Sequence, residues 1–390
     1  MLQGENGVRR SSLEMTPFYV MEVMERSAEL EREGRSIIHL EVGQPDFPTP
    51  QCVVEAAIRA IGAGKTRYTH SLGMIELREA VAEFYSKKYD VSVSPETVVV
   101  TSGSSPAMLL AFSALLERGD EVILADPHYA CYPNFLRHLD AVSVFVPTTP
   151  ENGFHLAAEE IVARRSERTK AVILNSPCNP TGTLMPAETI EAIAQTDLTI
   201  ISDEIYHGLV YEGKEHSILE FTDDAVVING FSKLYAMTGW RLGYLIVPRH
   251  MLRVIQILQQ NFFISPNPFV QHGGVAALRD AGEDVERMVR RFDERRQLMV
   301  AKLRKMRLPI PAPPAGAFYV WADATTFGMN SLELAEKILA EAGVALAPGI
   351  DFGESGRRYL RLSYANSIEN IEEGMRRLAG FFTGMKAGSG

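Results

Sequence analysis

The stretch Phe231-Ser232-Lys233-Leu234-Tyr235-Ala236-Met237-Thr238-Gly239-Trp240-Arg241-Leu242-Gly243-Tyr244 decides how this 390-residue chain is read. It follows the apolar run Ala225–Ile228, so Lys233 falls just past the end of a strand that should be buried. Burying an ammonium without a partner is costly. A lysine at such a place is useful when its amine is neutral and condenses with an aldehyde as a Schiff base. Ser232 beside it and Arg241 eight positions later supply a hydroxyl and a bidentate guanidinium, the groups that hold a phosphate. Ser232-Lys233 alone is better read as a solvated loop. The Gly239-Trp240-Arg241-Leu242-Gly243-Tyr244 continuation turns the reading toward a lysine that carries a phosphorylated aldehyde.

Outward from this segment, short apolar runs alternate with helical patterns. The runs are Thr97–Thr101, Glu121–Ala125, Val142–Val146, Ala171–Leu174, Leu198–Ser202, Ala225–Ile228 and Gly243–Val247. Most are apolar on both faces, as strands covered on both sides should be. Amphipathic Pro106–Leu116, Ala187–Gln195 and Met251–Gln260 lie between some of them. The pattern predicts an α/β fold, a large domain with a mostly parallel seven-stranded sheet between helices, with ligands gathered at the strands' carboxyl ends. After about residue 285 a charged helical stretch, Arg290–Arg307, leads to the Pro-rich bend Pro309–Pro314. Strand-like Phe318–Trp321, Val344–Ala347 and Tyr359–Ser363 then alternate with helices Leu332–Ala342 and Ile368–Phe382, a smaller α+β domain. The expected division is 1–45 as N-terminal arm and part of the small domain, 46–285 as the large domain and 286–390 as the small one. Thr16–Glu33 reads as a helix packing back on the smaller domain, and Met1–Ser12 and Lys386–Gly390 read as loose tails.

A net charge of −10 argues against sequence-nonspecific nucleic-acid binding, which needs a basic footprint. Cys52, Cys131 and Cys178 are far apart and odd in number, so neither a disulfide framework nor a metal cluster follows, and a reducing cytoplasm is expected. The N-terminus lacks the basic start and apolar core of a signal peptide, and no apolar stretch approaches the ~20 residues that span a bilayer. His70 and His128 have no spaced partners, and no metal is expected.

Polar residues cluster where the runs end. Thr199–Ser202 leads into Asp203-Glu204-Ile205-Tyr206. An isolated Asp there is a helix cap, whereas a pyridine cofactor needs an anion at its ring nitrogen to stay protonated. Tyr206 suits either a half-buried packing role or the ring's phenolate oxygen. Asn175-Ser176-Pro177-Cys178-Asn179-Pro180-Thr181-Gly182 is a tight turn that also aims the Asn179 amide into a cleft. Ser102-Gly103-Ser104-Ser105 opens a helix, either as a plain Ser cap before Pro106 or as a phosphate cradle of N–H groups. Tyr129, after the run ending at Ala125, stacks on a planar ring or packs in the core. Arg361 sits within the apolar strand Tyr359–Ser363 and needs an anion, either a structural partner or a substrate carboxylate.

Together these residues resemble the pyridoxal-phosphate aminotransferases of fold type I, the class I/II group that includes aspartate, aromatic and alanine transaminases. The likeness runs from about Met15 to Phe382 through Gly43-Gln44-Pro45-Asp46-Phe47, Tyr68-Thr69, Ser102–Ser105, Asn179–Gly182, Asp203–Tyr206, Ser232–Gly243 and Arg361, in the family's order. The resemblance implies a ping-pong aldimine/ketimine transfer of an amino group from an L-amino acid to a 2-oxo acid. Lys233 would hold pyridoxal 5'-phosphate and move the proton between Cα and C4′. Asp203 would pair with the ring nitrogen, Tyr206 and Asn179 with the phenolate oxygen, and Tyr129 with the ring face. Ser104, Ser105, Ser232 and Arg241 would bind the phosphate, joined by Tyr68 from the partner of a homodimer. Arg361, Asn179 and the Gly43 backbone would bind the substrate carboxylate. Phe18, Tyr132 and Ile350 are the expected side-chain pocket, which leans toward an apolar or aromatic donor. A C–S β-lyase shares these motifs, and a non-catalytic ligand-binding relative is the reading from another class.

Overall fold

The apolar runs of the middle of the chain form strands because their β-branched residues fill both faces of a covered sheet. The computed structural model describes residues 7–306 and 308–387. Its strands in chain order are β1 (Ile38–His39), β2 (Val98–Thr101), β3 (Glu121–Asp126), β4 (Val142–Pro147), β5 (Thr169–Asn175), β6 (Thr199–Asp203), β7 (Ala225–Gly230), β8 (Gly243–Ile246), β9 (Tyr319–Asp323), β10 (Val344–Ala345), β11 (Ala347–Pro348) and β12 (Tyr359–Ser363). Strands β2 to β8 make one sheet in the order β2-β8-β7-β6-β5-β3-β4. Every neighbouring pair is parallel except those of β8, which runs antiparallel to both β2 and β7.

The period of two along each strand divides the core. Val98, Val100, Ile123, Val172, Leu174, Ile200, Val227 and Tyr244 face one apolar cluster, with Leu77, Val81 and Tyr85 of helix Ile75–Tyr89. Their chain neighbours Val99, Val122, Leu124, Ala171, Ile173, Ile201, Val226, Ile228 and Leu245 face the other, with Met108, Ala111 and Phe112 of helix Ser104–Leu115 and Ile255 of helix Arg249–Phe262. Helices on both faces are what make near-continuous apolar strands stable.

The C-terminal elements make an antiparallel sheet β11-β12-β9 and a parallel pair β1-β10. Helix Tyr19–Arg32 packs on them: Val20 joins Trp321, Ala347 and Phe352, while Val23 and Leu30 join Leu339 and Ala345.

Several expectations need correcting. The run Val344–Ala347 is not one strand, because β10 pairs with β1 and β11 turns to pair with β12. The charged stretch from Arg290 is the later part of helix Gly282–Lys305, whose polar exposed start hides its N-terminus from periodicity, and Arg307 lies outside the described residues. Within the expected N-terminal tail, residues 1–6 lie outside the described residues, but Arg10–Leu13 forms one helical turn and Arg9 pairs with Asp140 at 2.8 Å. Of the expected tail Lys386–Gly390, helix Ile368–Ala387 takes the first two residues and the last three are not described. The three cysteines are free thiols. Among the described residues no helix is long and apolar enough to cross a membrane.

Candidate active site

Parallel strands deliver their carboxyl ends to one edge of the sheet, and the residues just beyond them line one cavity of about 260 Å³. β5 brings Asn175 and Asn179, β6 brings Asp203 and Tyr206, β7 brings Ser232 and Lys233, and β2 brings Ser104 and Ser105. The reversed strand β8 starts where its neighbours end, with Gly243 opposite both Thr101 and Gly230, and so Arg241 arrives at the same edge. The smaller sheet closes the cavity with Tyr319 and Arg361, and helix Tyr19–Arg32 covers it with Val20 and Met21 beside Phe18.

The Lys233 amine donates to the Gly43 carbonyl oxygen at 2.7 Å. Burial lowers its pKa to about 8, helped by the positive charges of Arg361 and Arg241 and opposed by Asp203. Asp203 is buried, and burial raises its pKa to about 6, offset by hydrogen bonds from the Tyr132 hydroxyl at 2.6 Å and the Ile205 N–H at 3.2 Å. It therefore stays mostly anionic at neutral pH. The adjacent Glu204 turns away, accepting from Tyr85, Ser217 and the Ile218 N–H. Of the two acids at this strand end, Asp203 alone lines the cavity.

Helix Ser104–Leu115 begins at Ser104, with Gly103 as its N-cap at φ 100°. That corrects the plain Ser-cap expectation: both serines lie inside the first turn, where unpaired N–H groups and the positive dipole end suit an anion. At the φ of Gly103 a side chain is strained, and a Cβ there would also meet the Arg241 guanidinium at 2.5 Å. Arg241, itself at φ 53°, anchors its Nη1 on the Thr238 carbonyl at 2.9 Å. These N–H groups, Arg241, the buried Ser232, a deprotonatable Lys233 and the anionic Asp203 together fit pyridoxal phosphate.

Arg361 is buried on β12 between the rings of Tyr319 and Phe352, 4.2 and 4.6 Å from their centroids. Its Nη1 donates to Asn179 Oδ1 at 2.8 Å and its Nη2 to the Glu41 carbonyl, while its buried Nε has no hydrogen-bond partner among the described residues. The Tyr206 hydroxyl bonds the Tyr319 hydroxyl at 2.8 Å. Tyr129 stands edge-on to Phe18 and to Tyr132.

Tyr68, expected to reach the site of a partner subunit, does not line the cavity of its own chain and is 81% exposed. Tyr132 and Ile350 do not line it either, and that expectation is corrected. Tyr132 is buried beneath, with its hydroxyl spent on Asp203, and Val20 and Met21 form the wall instead. Sequence reasoning missed Tyr319, which lies in a strand-like run with no polar signal other than its own hydroxyl. It also missed Asn175, whose amide donates to the Asp203 carbonyl at 3.0 Å and whose oxygen accepts from the Asn179 N–H at 2.8 Å. Its place at the end of β5, opposite Asp203, was the available signal.

Residues 35–378 match the family described as aminotransferase class I and II. The chain is 42% identical over 373 residues to a (5-formylfuran-3-yl)methyl phosphate transaminase of Methanocaldococcus jannaschii, covering 95% of this chain and 98% of that one. It is 40% identical to a valine–pyruvate aminotransferase of Mycobacterium tuberculosis, covering 93% and 95%. Among solved structures, an aspartate aminotransferase from Thermus thermophilus with maleate superposes with a TM-score of 0.92 at 37% identity, covering 96% of this chain and 99% of that one.

Proposed function

This chain belongs to the class I and II aminotransferases, and from that premise we propose that its amino donors are L-amino acids with apolar or aromatic side chains. It is a transaminase, and pyridoxal phosphate is its cofactor. One observation carries the donor class: the cations of the cavity are Lys233, Arg241 and Arg361, each with its own task, and Phe18, Val20, Met21 and Val42 give it an apolar wall. No cation among the described lining residues is left over for a distal carboxylate. The Mycobacterium relative is named for valine and the Thermus structure for aspartate, so the relatives' names do not decide the choice.

Bound pyridoxal phosphate supplies an aldehyde that captures amines and a protonated ring that accepts electrons. Ser104, Ser105, Ser232 and Arg241 would hold its phosphate, Asp203 would pair with its ring nitrogen, Tyr206 and Asn179 with its phenolate oxygen, and Tyr129 would cover one face. Arg361 takes the substrate carboxylate, with its planar fork held by Tyr319 and Phe352. Lys233, its pKa lowered by burial to about 8, removes and returns the Cα proton as general base and acid. Tyr132 and Asn175 keep Asp203 oriented.

We assign the active unit to a homodimer in the cytoplasm. Beside Tyr68, the Thr69 N–H reaches Ser265 Oγ at 3.4 Å, close in the chain to exposed Phe262 at the end of helix Arg249–Phe262 and exposed Ile264 after it, an apolar surface suited to a second copy whose phosphate site Tyr68 would complete. We keep 46–285 as the cofactor-binding domain and join 1–45 to 286–390, supported by the β1-β10 pairing.

The test is the visible spectrum of the holoenzyme with a panel of amino acids. Bleaching of the cofactor band by leucine, valine or phenylalanine supports the donor class; bleaching by aspartate alone overturns it. Sedimentation and the cofactor affinity of Tyr68→Phe test the dimer.

A further inference from the structure

Helix Tyr19–Arg32 begins without a cap of its own. Its N-cap residue is Phe18, whose side chain accepts nothing, so the first N–H groups need an outside partner. Asp351 supplies it from more than 330 positions away: Oδ1 accepts from the Tyr19 N–H and Oδ2 from the Val20 N–H, both at 3.2 Å. The next N–H, of Met21, returns to the Phe18 carbonyl at 2.9 Å.

Asp351 is itself held firmly. It lies in the one-turn helix Gly349–Phe352, where the Ile350 N–H donates to Ser331 Oγ at 2.9 Å and the Phe352 carbonyl accepts from the His128 N–H at 2.8 Å. A Cβ on Gly349 would collide with the carbonyls of Gly356 and Tyr359, so this turn is packed backbone against backbone. Phe352, the next residue, stacks on Arg361. One short turn therefore touches both the carboxylate-binding arginine and the helix start whose Phe18, Val20 and Met21 wall the cavity.

We infer that Asp351 is a positioning residue for substrate choice: it caps the helix from outside and so fixes where the apolar wall stands relative to Arg361. This rests on the reading that the donor's side chain lies against that wall. The carboxylate is not among the groups that line the cavity. It sets the distance between the two surfaces that grip opposite ends of the amino acid, a geometry to which large side chains are sensitive and alanine is not.

The experiment measures kcat and KM for alanine, leucine and phenylalanine with wild-type, Asp351→Asn and Asp351→Ala holoenzymes, alongside peptide-level hydrogen exchange. Loss of the cap is expected to raise KM for leucine and phenylalanine about tenfold. The expected kcat stays within about twofold, the alanine KM is unchanged, and exchange accelerates over residues 18–24 alone. Unchanged exchange there, or a KM rise independent of side-chain size, overturns the inference. Exchange that rises across the whole molecule, with kcat and every KM moving together, marks a merely structural role and overturns it too. A wild-type enzyme that takes neither leucine nor phenylalanine sinks the donor reading instead, and the exchange over residues 18–24 then still decides whether Asp351 holds the helix start.

Discussion

The Lys233 amine rests 2.7 Å from the Gly43 carbonyl oxygen, joining the loop after β7 to a segment 190 residues earlier. That carbonyl belongs to the strap that also offers the Glu41 carbonyl to Arg361, so the amine and the guanidinium are referenced to the same piece of backbone. Both are cations in a confined space, and burial with their mutual repulsion lowers the lysine pKa to about 8.

A pH dependence follows with a definite sign. Only the neutral amine attacks an aldehyde, and the neutral fraction grows as pH rises through about 8. Stopped-flow capture of pyridoxal phosphate by the apoprotein should accelerate between pH 7 and 9 and then level off. A rate that keeps climbing toward the ordinary lysine pKa near 10.4 would mean the amine is not perturbed.

The Asp203 carboxylate holds its charge in a buried site, accepting among the described residues from Tyr132 and the Ile205 N–H. Asp203→Asn keeps the shape and removes the anion. Turnover with saturating cofactor should fall roughly 10³-fold, in line with removal of a preorganised electrostatic group. Near-normal kcat in that variant would show that the anion is dispensable.

Arg361→Lys replaces a planar fork, stacked between Tyr319 and Phe352, with a single ammonium. Loss of a charge-assisted bidentate pair is worth about 1.5–3 kcal/mol, roughly 10- to 150-fold. The KM of every amino donor should rise by that order, with cofactor affinity unaltered. A change in cofactor affinity without a change in KM would place Arg361 in the wrong role.

Gly103→Ala adds a Cβ both where φ is 100° and where the Arg241 guanidinium lies at 2.5 Å. Backbone strain of this kind costs about 1–3 kcal/mol. The variant should bind pyridoxal phosphate at least tenfold more weakly by titration of the apoprotein, because the arginine must leave the cradle. Wild-type affinity would show that Arg241 does not need its present place.

The readable part of this site was that in which chemistry and local pattern coincide. Lys233, Asp203 and Asn179 each follow an apolar run, and a strand covered on both faces must end at the sheet edge where ligands gather. Tyr132 illustrates the opposite case. Its tyrosine and its neighbourhood were visible, but whether the hydroxyl faces substrate or supports Asp203 depends on how helix Tyr132–His138 sits against β6. Tyr319 was illegible for a related reason: its hydroxyl partner, Tyr206, lies 113 residues away in the turn after β6.

The order of residues by itself determined the alternating cores, since strand periodicity is carried by adjacent positions and one residue's neighbours must face the other way. It also determined which polar groups stand at the strand ends. Only the tertiary structure decided that β8 runs backward and so lays Arg241 beside Gly103, that Arg361 bonds Asn179 and the Glu41 carbonyl, and that Asp351 caps a helix at the other end of the chain. Those contacts join residues far apart in sequence. They are set by how whole layers pack, and the local pattern carries no record of it.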